Sequence, residues 1–508
     1  MLNLSTTLSA NSLTTMGLPP HAVETIVGDQ ARSYLARPNV PTDWDILYKR
    51  CTWSTPFQSY DFISTWYKLF KDSYTPILII QIRDEKLIGA LPLAMDSNGN
   101  LVYAGADIAE YQVWLADPMD SDNFIEQAIL KIKSDYPGKT IPLKFVPSTA
   151  PLHWIKQNPS FKYSCEVISH KQPLLKINYS SIAKELKKKN RKEKLNRLKR
   201  LGDLQFVKIT DSLEFDSILN ELVIQSDFRK GAMFDQCMFI SSTARRDFLS
   251  SLFKLNLLHV TILKLDNTII ASNVGVFGKK WVHLQGINTH SPMYAKYSPG
   301  ILHFLMLGLM LSEEEIEVFD LTPGNNGYKE MLATDYIEAY EINFHTKSKF
   351  IFNKFKRQAK CFFQNYSQQV GISSYALKNI TKRISIQNQK LKLIRNYKAT
   401  IMNQATLKYH FPKTKKSLHR INRSSISSEE YVKLNFNSLS DLLRYNPKGT
   451  LQTRWEFLED AMKRFEAGQQ CYTWLENDSL LACAWLSHRN KSSSPATFKN
   501  QHRKGLTF

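Results

Sequence analysis

The stretch YAKYSPGILHFLMLGLMLSEEEIEVFDLTPGNNGYKE, from Tyr294 to Glu330, decides how this chain folds. An apolar run, Ile301–Leu311, stands directly behind Ser298-Pro299-Gly300. An acidic turn, a short strand-like run over Glu317–Leu321 and a Gly/Asn loop ending in Tyr328-Lys329 follow it. A membrane segment, a buried structural helix and a helix that holds a phosphate all begin this way. Eleven residues rise only about 16 Å as a helix, roughly half a bilayer core, so the membrane reading fails on length. Ser298 is placed to cap the helix, Pro299 suits its first turn, and Gly300 lets a ligand approach the backbone. Free N–H groups at such an end, with the helix dipole, make an anion site for a phosphate or pyrophosphate. An ordinary helix start reads the same way.

Working back from that stretch, HVTILKLDNTIIASNVGVFG (His259–Gly278) reads as a hairpin turning at Asp266-Asn267, and KWVHLQGIN as the next strand. SLEFDSILNELVIQSDFRKG and STARRDFLSSLFKLN are helical before it. A similar order occurs earlier. TPFQSYDFISTWYKLF (Thr55–Phe70) has helical spacing and leads into TPILIIQIRDEKLIGALPLAM, a hairpin turning at Arg83–Lys86. An amphipathic helix, DNFIEQAILKIKSDYPGK, and a strand, IPLKFVP, complete that module. A third hairpin, CYTWLENDSLLACAWLSH (Cys471–His488), turns at Asn477-Asp478 behind the helix LQTRWEFLEDAMKRFEAG, and its module stops early. Three such copies predict a repeated unit.

The charge is uneven. Lys184–Arg200 carries ten basic and two acidic residues, and Lys347–Ser424 carries nineteen Lys/Arg and no Asp or Glu. Those two segments exceed the whole formal net charge of +21, so the remaining modules are mildly acidic. The basic segments are patches for an anionic partner, a membrane surface or RNA, or solvated faces. Lys184–Arg200 lacks interleaved aromatics for base stacking. Six scattered cysteines in 508 residues, with no CxxC, fit reduced thiols in the cytoplasm. The first residues show neither a basic n-region nor a continuous apolar h-region. No HExxH, Walker A, GxGxxG behind a strand or GxSxG elbow occurs, and no metal is expected.

The motifs TPFQSYDF, GALPLA, LKKKNRKEKLNRLKRLGDLQF, HLQGIN, YSPGILHF and FDLTPGNNGYKEML together resemble the CelD-like and FemAB-like branch of the GNAT acyltransferases, between Thr42 and Phe350. The resemblance implies an α+β (mixed α/β) fold with tandem GNAT-like modules, mostly antiparallel sheets and flanking helices. It implies 39–170 as a degenerate acceptor-side module and 171–350 as a donor-binding module, while the Ser/Thr/Pro-rich residues 1–38 read as a disordered N-terminus. A basic aromatic segment and linker at 351–425, an incomplete third module at 426–490 and a disordered tail at 491–508 complete the expected order. The implied activity moves an acyl group from acyl-CoA to an amine or hydroxyl of a saccharide or cell-envelope precursor. Aminoacyl-tRNA, the donor of FemAB-like relatives, is the alternative, as is a non-catalytic platform at an anionic membrane or RNA. On this reading Gln285, Ser298, Pro299 and Gly300 face the donor, and Asp320 is the base. Tyr328 donates to the leaving thiolate and Lys329 grips a phosphate or carboxylate. Glu110 and Tyr111 touch the acceptor, and the protein is cytoplasmic or peripheral at the membrane.

Overall fold

The computed structural model describes residues 22–324, 326–369, 374–402, 434–447, 452–487 and 499–500. The chain divides into two compact units, residues 1–168 with 340–350 and residues 169–339 with 351–508.

The first unit opens with β1 (Glu24–Val27) and α1 (Asp29–Leu35). Both lie inside the segment expected to be disordered; β1 pairs with β2 (Tyr74–Arg83), and Ala31, Tyr34 and Leu35 are buried. Next come α2 (Val40–Arg50), α3 (Tyr60–Leu69), β3 (Lys86–Asp96), β4 (Leu101–Tyr103) and β5 (Leu115–Ala116). After them come α4 (Ser121–Asp135), β6 (Ile141–Pro147), α5 (His153–Gln157) and the start of β7 (Cys165–Lys176). The sheet order is β1-β2-β3-β4, with β5 beside β3. Asp84 and Glu85 adopt φ of 50° and 60° in the β2–β3 turn, the geometry that suits a tight hairpin to strand twist. Ser59 caps α3 by accepting from Phe62 N–H, and α3 buries Phe62, Ile63, Trp66 and Tyr67.

The second unit continues β7 and adds α6 (Tyr179–Leu186), α7 (Lys189–Lys199), β8 (Leu204–Ile209), α8 (Ser212–Phe234) and α9 (Thr243–Lys254). The basic run Lys184–Arg200 falls on two helices, the end of α6 and α7. Then come β9 (Leu258–Leu265), β10 (Thr268–Gly278), β11 (Trp281–His290), α10 (Pro299–Glu313), β12 (Val318–Asp320), α11 (Gly327–Leu332) and β13 (Asp335–Phe344). In this unit the strands run β13-β7-β12-β11-β10-β9-β8. Tyr328 and Lys329 belong to the first turn of α11, not to the loop before it.

The long helices α12 (Lys347–Gln369) and α13 (Ser374–Met402) follow. β14 (Leu434–Phe436), α14 (Leu439–Leu443), α15 (Arg454–Glu466), β15 (Gln470–Glu476), β16 (Ser479–Leu486) and β17 (Lys499–Asn500) make a four-stranded sheet with two helices. The β15–β16 hairpin turns at Asn477 and Asp478 with φ of 49° and 59°. This segment is not a free-standing module. Its core, with Leu442, Phe457, Leu458 and Trp485, includes Phe228 and Ala232 of α8. Trp455 Nε1 donates to Ala232 O at 3.1 Å. β17 lies within the expected tail. The first 21 residues, the linker over 403–433 and the rest of the tail lie outside the described residues.

Apolar character all around α10 has a packing cause. One side meets the sheet through Val282, Leu284 and Phe319, and the other meets α6, where a Cβ on Gly308 would stand 2.9 Å from Ile182 Cδ1. A helix covered on two sides needs no polar stripe. Among the described residues no helix is long and apolar enough to cross a membrane.

Candidate acyl-transfer site

The site is built where β11 and β12 part. They pair in parallel through only three positions, Trp281–Val318, Val282–Phe319 and His283–Asp320. β12 then stops, whereas β11 runs on to His290. At the parting point β11 also bulges. Its register with β10 jumps from Gly275–Gly286 to Val276–His283, which loops out Leu284 and Gln285. Two glycines make this close approach feasible. Gly286 sits at φ 120°, where a Cβ would stand 2.3 Å from Val274 O, and a Cβ on Gly275 would stand 2.6 Å from His283 O. A bulge disrupts the ladder and exposes backbone groups for other partners. Gln285 therefore lies in the bulge, and its side chain lies outside the described residues.

A polar clamp pins the base of the opening. Asp320 is fully buried. Its Oδ2 accepts from His283 Nδ1 at 2.7 Å, and its Oδ1 accepts from Gln172 Nε2 at 3.0 Å and from Thr322 N–H at 2.9 Å. One carboxylate thus ties β7, β11 and β12 together and fixes the loop after β12. The hydrogen bond at Nδ1 sets the tautomer of His283 and leaves Nε2 as its other ring atom.

The α10 N-terminus stands beside His290, the last residue of β11. Ser298 is left-handed, with φ 53° and ψ 50°, and does not cap the helix with its side chain as expected. Its backbone carbonyl accepts from Ile301 and Leu302 N–H, while its Oγ accepts from Lys194 Nζ at 2.8 Å. Pro299 occupies the first turn. A Cβ on Gly300 would lie 3.1 Å from His290 Nδ1, so glycine keeps the backbone close to that ring. Lys194 comes from α7, which turns Leu195 and Leu198 into the core beside Leu302. The basic helix is therefore more than a solvated face: it delivers an ammonium to the helix start.

Arg229, near the end of α8, reaches His290 with its guanidinium 2.9 Å from Nδ1. Burial and that positive charge push the His290 pKa down to about 3, so the ring is a neutral partner. Tyr328 stacks on Phe304, with centroids 6.1 Å apart. Burial raises its hydroxyl pKa, while Arg229 and a hydrogen bond with Asn326 pull it back.

Lys329 does not stand ready for a ligand. It is buried, and its Nζ donates to Thr322 O at 3.0 Å, Thr322 Oγ1 at 3.1 Å and Pro323 O at 3.2 Å. Those bonds use the three donors of an ammonium on the loop itself. In the first unit Tyr111 is a core residue, 1% exposed and packed on Phe57, and Glu110 is buried with Lys144 Nζ at 3.5 Å. Both are more enclosed than an acceptor contact on an open loop. Sequence reading missed His283, Gln172, Arg229 and His290. Lys194 was visible only as one residue in a basic run. Among the described residues no group of side chains is arranged to hold a metal ion.

The family model described as an acetyltransferase (GNAT) domain matches residues 186–330, which span α7 to α11. The chain therefore carries a transferase domain of the GNAT superfamily. Solved structures similar to it include FemX, at 10% identity and a TM-score of 0.42 over 61% of this chain and 96% of that one. A tandem GNAT protein from the clavulanic acid biosynthesis pathway is 10% identical, with a TM-score of 0.37 over 63% of this chain and 98% of that one. A GCN5-related N-acetyltransferase from Sphaerobacter thermophilus is 9% identical, with a TM-score of 0.30 over 63% and 94%. No curated protein matches the sequence.

Proposed function

We propose that the second unit moves an acyl group from acyl-CoA to an amine or hydroxyl, with the thioester lying where β11 and β12 part. The observation that carries this reading is that β11 runs on past its last pair with β12 to His290, against which the α10 start at Gly300 stands with Lys194 on Ser298. The helix end and the ammonium suit the donor's pyrophosphate, and the bulge offers backbone groups to the thioester carbonyl. The acceptor attacks the carbonyl carbon; the new C–N or C–O bond forms as the C–S bond breaks. His283, oriented by Asp320, takes the acceptor's proton. Tyr328, kept protonated by burial, gives a proton to the leaving thiolate. Lys329 holds the 322–323 turn in place. A saccharide or cell-envelope precursor as acceptor rests on the sequence resemblance alone, and a cytoplasmic setting on the scattered cysteines. The test is turnover of the full chain with a panel of CoA esters, read as free thiol released on adding amino sugars. Acceptor-dependent thiol release supports the proposal. Turnover with aminoacyl-tRNA and none with any ester would overturn it.

A further inference from the structure

The helix α12 lies outside the transfer machinery and has a face of its own. Ile351, Phe352, Phe355 and Phe362 are 44%, 66%, 68% and 69% exposed. At 3.6 residues per turn these positions, with Ala359, fall within an arc of about 100°. Lys349, Lys356 and Lys360 border that arc on one side, and Lys347 and Lys354 on the other. The helix has six basic residues and no acidic one. Three exposed phenylalanines on one helical stripe are costly in water, and they are not scattered singly over a surface.

Charge separates the candidate occupants. The linker over residues 403–433 is itself basic, with seven Lys/Arg against two Glu, so its charge opposes docking on α12. A second copy of α12 would bring like charges together. The neighbouring basic helix α13 shows the contrast: its Lys382 and Lys390 pair with Glu459 and Glu456 of α15 at 2.7 and 2.6 Å. A surface that takes aromatic rings at shallow depth and surrounds them with negative charge is an anionic bilayer. There the rings enter the acyl boundary and the lysines reach headgroup phosphates.

We infer that α12 lies in the plane of an anionic membrane interface, inserting Phe352 and Phe355, and so holds the transferase at a lipid surface. This is independent of the transfer reaction. The test is sedimentation of the full-length protein with vesicles of phosphatidylcholine alone or with phosphatidylglycerol, with an RNA oligonucleotide as competitor. Binding to the anionic vesicles is expected. The variant Phe352→Ser/Phe355→Ser should lose roughly tenfold or more in affinity. Each of Lys354→Gln and Lys356→Gln should lose about fivefold. A Phe355→Trp reporter should blue-shift on anionic vesicles and be quenched by brominated acyl chains. Equal binding to neutral and anionic vesicles, or an unquenched Phe355→Trp reporter, overturns the inference. So does RNA bound more tightly than vesicles, with the phenylalanine pair replaced at no cost to vesicle binding.

Discussion

Replacing Asp320 with alanine tests the clamp at the parting strands. The carboxylate is fully buried and accepts from His283 Nδ1, Gln172 Nε2 and Thr322 N–H at 2.7, 3.0 and 2.9 Å. Alanine strands three buried donors. Each buried unsatisfied donor costs about 1–3 kcal/mol. Relaxation of Gln172 recovers part of that, so the expected loss is about 3–5 kcal/mol, the range for breaking a buried pair from one side. Asp320→Asn should cost less, about 1–2 kcal/mol. Its oxygen still serves Gln172 and Thr322, but its NH2 faces His283 and drives the ring proton to Nε2. The assay is amide hydrogen exchange in β11 and β12, which reads the opening free energy of these strands directly. Asp320→Ala should lower it by the full amount and Asp320→Asn by the smaller one. A loss under about 1 kcal/mol for Asp320→Ala would refute the clamp, since even one stranded donor should cost that much.

The remaining predictions concern the same frame. Gly286→Ala places a Cβ 2.3 Å from Val274 O at a φ of 120°. It should cost about 3 kcal/mol or more and abolish turnover, read by urea unfolding alongside activity. His303 is buried in α10 with Nε2 3.1 Å from Thr261 Oγ1, and burial depresses its pKa to about 3. Unfolded, it binds a proton below about 6.5, so its contribution is complete above that pH and is lost as pH falls toward 3, by about 2 kcal/mol at pH 5. His303→Gln should flatten that slope in urea midpoints measured between pH 7.5 and 5. Lys329→Ala removes three bonds to the 322–323 turn. It should slow turnover while leaving the affinity for acyl-CoA within about twofold; a selective loss of affinity would restore the phosphate-gripping role.

What the sequence revealed, and what it hid, follows from the range of each interaction. The β2–β3, β9–β10 and β15–β16 hairpins were legible because turn residues and alternation act within a few positions. The α10 start was legible for the same reason, in Pro299 and Gly300. The identity of the clamp was not. Asp320 meets His283 and Gln172 only through the register of three strands, and no local pattern sets that register. Ser298 reads as a capping residue, yet a left-handed backbone turns its hydroxyl to Lys194, 104 residues earlier. Lys329 reads as a solvated or ligand-gripping cation, but one turn of α11 points it at the loop. The third hairpin reads as a module of its own, and only its packing on Phe228 and Ala232 shows that it belongs with α8. Strands β7, β8 and β13, each with polar residues breaking its apolar alternation, carried no signal strong enough to place them.

The central claim is that the donor sits on the α10 helix start beside Lys194, and calorimetric binding of acetyl-CoA tests it most directly. Wild-type protein should bind, and Gly300→Val and Lys194→Ala should each weaken binding, Gly300→Val by roughly tenfold or more as its side chain fills the approach to the backbone. The melting temperature of Lys194→Ala should stay near that of the wild type, and Gly300→Val, whose Cβ crowds His290, is compared at a temperature where it is fully folded. Unchanged affinity in both variants, or no binding of any CoA ester to the folded wild-type chain, would contradict the account.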